Sequence, residues 1–325
     1  MAKARAIVKR RKAVRNIKKI TRTMQMIATA KFQKSLKRAV GTKPYTIKVR
    51  ELVRELAATV GNVEHPLLRN PTADQRSNRI AVLALTSNRG LAGAYNGNVL
   101  RTSSAFMKQQ EAAGKTVDLY IVGKKGYSYF TFQKRPIARR LEAYDPPRFM
   151  ETERLSQHFI DEFTSGRLDA VYIAYMNFIS TGVQKPDVMT LLPLAGAQGA
   201  ADQVAQQFAE REAQLKAGAL DARRTGTDVK AAADHARGET TYDFSPDPQT
   251  LLDELLPKTV KTALFQTLLD ATTSEHVARM VAMKSATDNA DKMVKSLSLQ
   301  YNRARQSQIT TELSEIMGGV EAMKK

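Results

Sequence analysis

From Lys258 to Met317 the chain runs for 60 residues without a glycine or a proline. As one helix that stretch would reach roughly 90 Å at 1.5 Å per residue. That is far longer than helices inside globular domains, and it calls for a coiled-coil partner or a shaft-like role. A seam for such a partner is present. Val277, Met280, Met283, Thr287, Ala290, Val294, Leu297, Tyr301 and Ala304 recur at alternating spacings of three and four, the heptad pattern. The seam is soft, because Thr287, Ala290 and Ala304 are small and methionines stand where leucines would be expected. Small seam residues let helices approach closely but sacrifice buried area, at roughly 25 cal/mol per Å². After Ala304 the stripe changes phase to Ile309, Leu313 and Ile316, so a different face should be presented there. A core helix of a compact bundle is the other use for such a stripe, but bundles seldom need this length.

The N-terminus offers a partner. Residues 1–50 carry 17 Lys and Arg and no Asp or Glu, whereas the other 275 residues carry 34 basic and 32 acidic side chains. The net charge of +19 is therefore concentrated at one end. Blocks of like charge are most often disordered tails or nucleic-acid arms. Here, however, Ile7, Val14, Ile17, Ile20, Met24 and Ile27 draw one stripe along a helix, for which a disordered arm has no use. A targeting peptide is also Arg-rich and amphipathic, yet this pattern continues past residue 27 without a cleavage-type break. The expectation is a long basic helix that needs an apolar partner. A basic nucleic-acid-binding protein is the alternative, and it would show steeply salt-dependent affinity for DNA or RNA.

The middle of the chain has another rhythm. Arg79–Ser87 is an aliphatic run that ends in the Gly-rich turn Asn88–Asn96, and a helical stretch follows to about Ala113. Further apolar runs at Val117–Val122, near Leu141, at Asp169–Ser180 and at Val188–Leu194 alternate with helical stretches, one at about Thr152–Thr164. Strands alternating with helices predict an open α/β sheet. The fold class expected is thus α/β: a long antiparallel coiled coil of N- and C-terminal helices plus a central open-sheet, Rossmann-like domain. The expected division is a basic helix over 1–74, the α/β domain over 75–195, an insertion over 196–245 and the C-terminal helix over 246–325.

Few chemistries survive inspection. The chain has no cysteine and four scattered histidines, His65, His158, His235 and His276. Thiol chemistry is excluded and a dedicated metal site is not indicated. Gly90, Gly93 and Gly97 sit where a dinucleotide fold would hold pyrophosphate. Their spacing is neither G-x-G-x-x-G nor a Walker loop, and Val122-Gly123-Lys124 replaces the acidic residue expected after the second strand. A tight strand-to-helix turn explains these glycines. Ser87 and Ser274 have no organised His and Asp companions, and Ser274-Glu275-His276 on a helix points three side chains in different directions. No catalytic, cofactor or metal residues are assigned. No window approaches 18 consecutive apolar residues.

The chain resembles a known family, the gamma subunit of F-type ATP synthases. The run SEHVARMVAMKSATDNADKMVKSLSLQYNRARQSQITTELSEIMGG (274–319) looks like that family's signature. The runs IKKITRTMQMIATAKFQKS (17–35) and TSNRGLAGAYN (86–96) match as well, leaving mainly residues 196–240 without a counterpart. The resemblance implies a non-catalytic rotor in the central stalk of a proton-transporting ATP synthase of bacterial type. Its terminal helices would turn inside a ring of three alpha and three beta subunits, with the α/β domain against the epsilon subunit and the membrane c-ring. It implies no cofactor, no nucleotide held by this chain and no nucleic-acid partner. The expected location is the cytoplasmic side of the cell inner membrane, peripheral and through the complex.

Carried over by motif, Arg305, Gln306 and Thr310 match a polar cluster that contacts a beta subunit. Met24 matches a position where added positive charge disturbs coupling. Ser245, in SPDP (245–248), matches a foot segment that often has an acid before PDP; here that acid is absent. The basic helix resembles the complement of acidic lever segments on the catalytic subunits. Exposed ion pairs are worth only about 0–1 kcal/mol each and are screened by salt, so the charge should guide sliding contact rather than clamp. Residues 196–240, rich in Ala, Gly and Gln, read as a solvated insertion with a modest helix possible over Ala201–Ala217. A brake on hydrolytic rotation is the functional reading of that insertion.

Overall fold

The computed structural model describes residues 2–60, 65–68, 77–194 and 247–323. Ser245 and the insertion expected at 196–240, including its expected helix, lie outside the described residues. Helix α1 spans Ala2–Val60 and continues through Gly41 and Pro44. An interior proline costs a helix about 3 kcal/mol. Buried side chains on both sides of it keep α1 continuous. Val14, Thr21, Ala28, Phe32, Ser35, Ala39, Thr46, Val49 and Leu56 are all buried, and they follow one heptad frame along the helix.

The described chain divides into two compact units, one of residues 1–31, 91–93 and 276–325, the other of 32–90 and 94–275. In the second unit the strands are β1 (Arg79–Leu85), β2 (Thr116–Val122), β3 (Arg139–Leu141), β4 (Ala170–Phe178) and β5 (Gln184–Leu192). Interleaved with them are α2 (Tyr95–Ala112), α3 (Lys124–Phe132) and α4 (Phe149–Thr164). The sheet order is β3-β2-β1-β4-β5. β1 lies parallel to both β2 and β4, β2 parallel to β3, and only β5 runs antiparallel. This is the doubly wound arrangement, with its switch of direction between β1 and β4. β5 starts at Gln184, earlier than the apolar run at Val188 predicts, and passes through Pro186. An edge strand tolerates a proline that a central strand would not.

β1 is aliphatic along its length because both of its faces are covered. Ile80, Val82 and Ala84 pack with Leu100 and Met107 of α2 and Phe130 of α3. Ala81, Leu83 and Leu85 belong to the opposite layer, with Phe159, Ile160 and Phe163 of α4 and Leu56 of α1. The final helix, α5 (Pro248–Met323), adds Leu252, Leu256, Val260 and Leu264 to that layer. α5 passes through Pro257, and through Gly318 and Gly319. Leu252, Leu256 and Val260 are buried around the proline and hold both sides of it in one core.

Between Thr259 and Ser274 α5 is buried on nearly every side. The threonines there fit an apolar core because their hydroxyls bond within the helix. Thr259, Thr267 and Thr273 donate to the carbonyls of Leu255, Ala263 and Leu269 at 2.9, 2.8 and 2.7 Å. Antiparallel contact with α1 is fixed in this unit by Thr42, whose hydroxyl donates to Gln266 Oε1 at 2.7 Å.

In the first unit α1 and α5 also run antiparallel, since partners fall in number on one helix as they rise on the other. Arg11 lies 4.9 Å over the Tyr301 ring, Lys18 meets Asp291 and Thr21 meets Thr287. The apolar part of this seam is small: Val14, Ala290 and Leu297, with Ile7 and Val294 beside them. All nine α5 seam residues expected from the sequence are buried or half-buried, and Ile309, Leu313 and Ile316 are exposed.

The α1 stripe is different from the expected one. Ile7 and Val14 lie in the seam, but Ile17, Ile20, Met24 and Ile27 are exposed at 51, 57, 37 and 53 %. The seam passes instead through Lys18, Thr21, Gln25 and Ala28, each one residue later. The face that is buried carries polar contacts to α5 as well as apolar ones.

Candidate functional site

The strand-end turn and the helix pair are the two places where function could reside. In the turn, α3 begins immediately after β2, so its first amides face the end of β1. A helix N-terminus with free amides is an anion site. Here those amides already have partners. Lys124 N donates to Asn88 Oδ1 at 3.2 Å, Lys125 N to the Ser87 carbonyl at 3.0 Å and Gly126 N to Thr86 Oγ1 at 2.9 Å. The Thr86 hydroxyl in turn donates to the Val122 carbonyl at 2.7 Å. Asn88 Nδ2 donates to the Ala143 carbonyl at 2.9 Å. Ser87 is fully buried and bonded to its own turn, donating to the Arg89 carbonyl at 2.5 Å and accepting from Asn96 Nδ2 at 2.9 Å. The first amides of α3 are therefore taken up by protein groups, and Ser87 is bonded within its own turn.

The glycines that matter most for this plug were not the ones the sequence emphasised. Gly97 has open space where a Cβ would go, and at Gly90 the nearest atom is the flexible Lys125 side chain at 3.5 Å. Gly123 has φ +92, and a Cβ there would lie 2.2 Å from the Thr86 carbonyl oxygen. At Gly126 a Cβ would lie 2.7 Å from Thr86 Oγ1. Both are conditions for the close approach of the β1 end to α3. The signal was present in the sequence as Gly123-Lys-Lys-Gly126, directly after an apolar run. Gly93, with φ +54, belongs to the other unit, where its α-carbon faces the Ala278 carbonyl and the Ala282 side chain of α5.

Ser274, considered as a nucleophile, is fully buried and donates to the Met176 carbonyl at 3.1 Å. His276 is likewise buried. Among the described residues no group of three or more acidic or histidine side chains is placed to hold a metal ion. No described helix is long and apolar enough to cross a membrane.

The helix pair presents a face of a different kind. Lys12, Arg15, Lys19 and Arg22 are exposed around the outward stripe of Ile17, Ile20, Met24 and Ile27. Arg305, Gln306 and Thr310 are all exposed on α5, and Thr310 donates its hydroxyl to the Gln306 carbonyl at 3.0 Å. These three fall within about one and a half turns of α5, while Met24 stands on α1. The sequence missed Lys18 and Asp291. They are in contact across the seam at 2.5 Å, and Lys295 approaches the second Asp291 oxygen at 3.6 Å. The hydrogen bond and charge of Lys18 hold the Asp291 carboxyl below the usual carboxylate range. A lysine interrupting an apolar stripe opposite an aspartate in the heptad partner is the pattern that could have revealed them.

One unit is a helix pair with an exposed basic and apolar face, a surface of the kind used for contact with other proteins; in the other, the first amides of α3 are bonded by the chain's own groups. A family model described as ATP synthase matches residues 3–323. The ATP synthase gamma chain of Rhodopirellula baltica is 38 % identical over 325 residues, covering 100 % of both chains. That of Leptospira biflexa is 36 % identical, covering 99 % of this chain and 100 % of the relative. The chain belongs to the ATP synthase gamma chain family. Among solved structures, a chain of the Euglena gracilis mitochondrial ATP synthase in rotational state 3 matches with a TM-score of 0.60 at 18 % identity. That match covers 99 % of this chain and 95 % of the other. A chain from the rotor of the same synthase matches with a TM-score of 0.56 at 17 % identity, covering 95 and 99 %. The family leaves the nucleic-acid alternative without support.

Proposed function

We propose that this chain is the central-stalk rotor subunit of a proton-transporting ATP synthase, coupling rotation of a membrane c-ring to conformational cycling of catalytic beta subunits. The observation that carries the reading is full-length membership of the gamma chain family. The exposed basic and apolar face of the helix pair supports it. A rotor drives its partners only through contact free energies that differ between their states, and a face bearing charges and apolar side chains on one side supplies such differences.

The partners are three alpha and three beta subunits around the helix pair, with the epsilon subunit and the c-ring at the α/β domain. The working division of the chain is 1–74, 75–195, 196–245 and 246–325, with residues 196–240 read as a solvated insertion. Arg305, Gln306 and Thr310 contact a beta subunit and Met24 is sensitive to added charge; Ser245 is the candidate for a c-ring contact, at a position where the family's usual acid is absent. The protein is peripheral on the cytoplasmic side of the cell inner membrane, held there through the complex. ATP chemistry belongs to the surrounding subunits.

Co-expression with alpha and beta subunits tests the reading. A stable ATP-hydrolysing complex with one copy of this chain is expected. Failure to co-purify, or a complex with several copies, refutes it. Within that complex Arg305→Ala should lower coupled turnover while leaving helicity unchanged, and unchanged turnover would remove the cluster from the mechanism.

A further inference from the structure

Two faces of α1 compete for one seam. The frames share Ile7 and Val14 and part after them. One continues through Ile17, Ile20, Met24 and Ile27, and ends against Lys31; the other continues through Lys18, Thr21, Gln25 and Ala28. The two differ by one residue, which is a turn of about 100° about the helix axis. By apolar area alone the first face is the better seam, yet the structure buries the second and leaves the isoleucines exposed.

What the buried face has, and the exposed face lacks, is polar partners on α5. Lys18 Nζ contacts Asp291 Oδ1 at 2.5 Å, and the Thr21 and Thr287 hydroxyls are 2.8 Å apart. The hydroxyls do not require one another for satisfaction, since Thr21 has the Lys18 carbonyl at 3.1 Å and Thr287 the Met283 carbonyl at 2.8 Å. Asp291 likewise keeps Lys295 within its own helix. Contacts with such fallbacks add orientation more than stability. Polar seam residues set register in coiled coils in the same manner, by making the alternative packing worse.

We propose that the Lys18–Asp291 and Thr21–Thr287 contacts select which face of α1 is turned to α5, and so hold the Ile17–Ile27 stripe outward. With the helix turned by one residue, Asp291 would lose Lys18 and Thr287 would face an isoleucine. All four are positioning residues. Their role in the helix pair is independent of the rotor reading; only the use of the outward stripe rests on it.

The chain has no cysteine, so a single introduced thiol reports without background. In the full-length chain, Ile20→Cys and Ala28→Cys sample the exposed and buried faces, at 57 and 1 % exposure. Labelling with a maleimide should be roughly tenfold or more faster at Ile20→Cys. Adding Asp291→Ala and Thr287→Val should reverse the ratio, and the exchange Lys18→Asp with Asp291→Lys, both threonines kept, should restore it. A ratio unchanged by the double substitution overturns the proposal. If the double variant loses helicity, the same ratio is read in Asp291→Asn and Thr287→Val singly, where no change in either overturns it. In the assembled complex a reversed face should lose coupling between ATP hydrolysis and proton pumping. Reversal with coupling intact would leave face selection standing and refute the rotor use of the stripe.

Discussion

Replacing Gly123 with alanine should be among the most damaging single-methyl additions in the α/β unit. The residue has φ +92 and ψ 151, a region that is essentially glycine-only and costs other residues on the order of 1–3 kcal/mol. The new Cβ would also lie 2.2 Å from the Thr86 oxygen, 2.7 Å from its carbonyl carbon and 2.9 Å from the Ser87 carbonyl carbon. All three are backbone atoms at the end of a central strand, so no side chain can swing aside. Forced displacement of packed groups adds roughly 1–3 kcal/mol. The sum, about 2–6 kcal/mol, corresponds to amide exchange faster by roughly 30-fold to more than 10⁴-fold wherever exchange follows the opening of this region. Hydrogen exchange at Leu83, Leu85 and Ile121 reads that acceleration. Gly166→Ala is the control, because Gly166 has φ +74 but open space around its α-carbon. It carries only the left-handed penalty, roughly 1–2 kcal/mol. Exchange in Gly123→Ala within a few-fold of the parent, or slower than in the control, would refute the close-approach argument.

Three further outcomes follow from the same structure. Gly126→Ala should destabilise the α3–β1 contact by about 1–3 kcal/mol. Thr86→Ala, which removes the crowding Oγ1 and Cγ2 atoms at 2.7 and 2.9 Å, should be less harmful beside it than alone; additive effects in a double-mutant cycle would contradict this. Met24→Lys should uncouple ATP hydrolysis from proton pumping without lowering the melting temperature, since Met24 is 37 % exposed, and unchanged coupling in reconstituted vesicles would reject that. His65 accepts from Leu67 N through Nδ1 at 3.0 Å, and burial lowers its pKa against the opposing charge of Asp253. The unfolded form therefore takes up the proton more readily, and stability at this site should fall as pH drops through 6.5 and below. Protection of the Leu67 amide, taken relative to its intrinsic exchange rate at each pH, should fall on acidification, an effect that His65→Asn should abolish; persistence of the loss in that variant would assign it elsewhere.

Much of the architecture was legible in local pattern. The alternation of β-branched runs with helical stretches located the sheet, because a strand covered on both faces must be aliphatic throughout, as in Arg79–Leu85. The heptad spacing from Val277 to Ala304 located the α5 seam, because one covered face imposes one period. Full-length helices were less legible. Interior prolines disfavour a helix, and burial on both sides of Pro44 and Pro257 accompanies the continuity of α1 and α5.

The sequence by itself determined that two long helices flank an α/β sheet, since periodicity and composition leave little else for these residues to form. It also determined the chemical character of the helix pair, basic and free of acids over its first 50 residues. Which side of α1 faces α5 was decided only in the tertiary structure. Apolar area alone favours the Ile17–Ile27 frame beyond Val14, whereas the frame that is buried is the one with an ion pair and a hydroxyl contact to α5. The same holds for the turn after β1. Its glycines stand out in sequence, but only the fold brings Thr86, Ser87 and Asn88 onto the first amides of α3, because those bonds join segments about 40 residues apart.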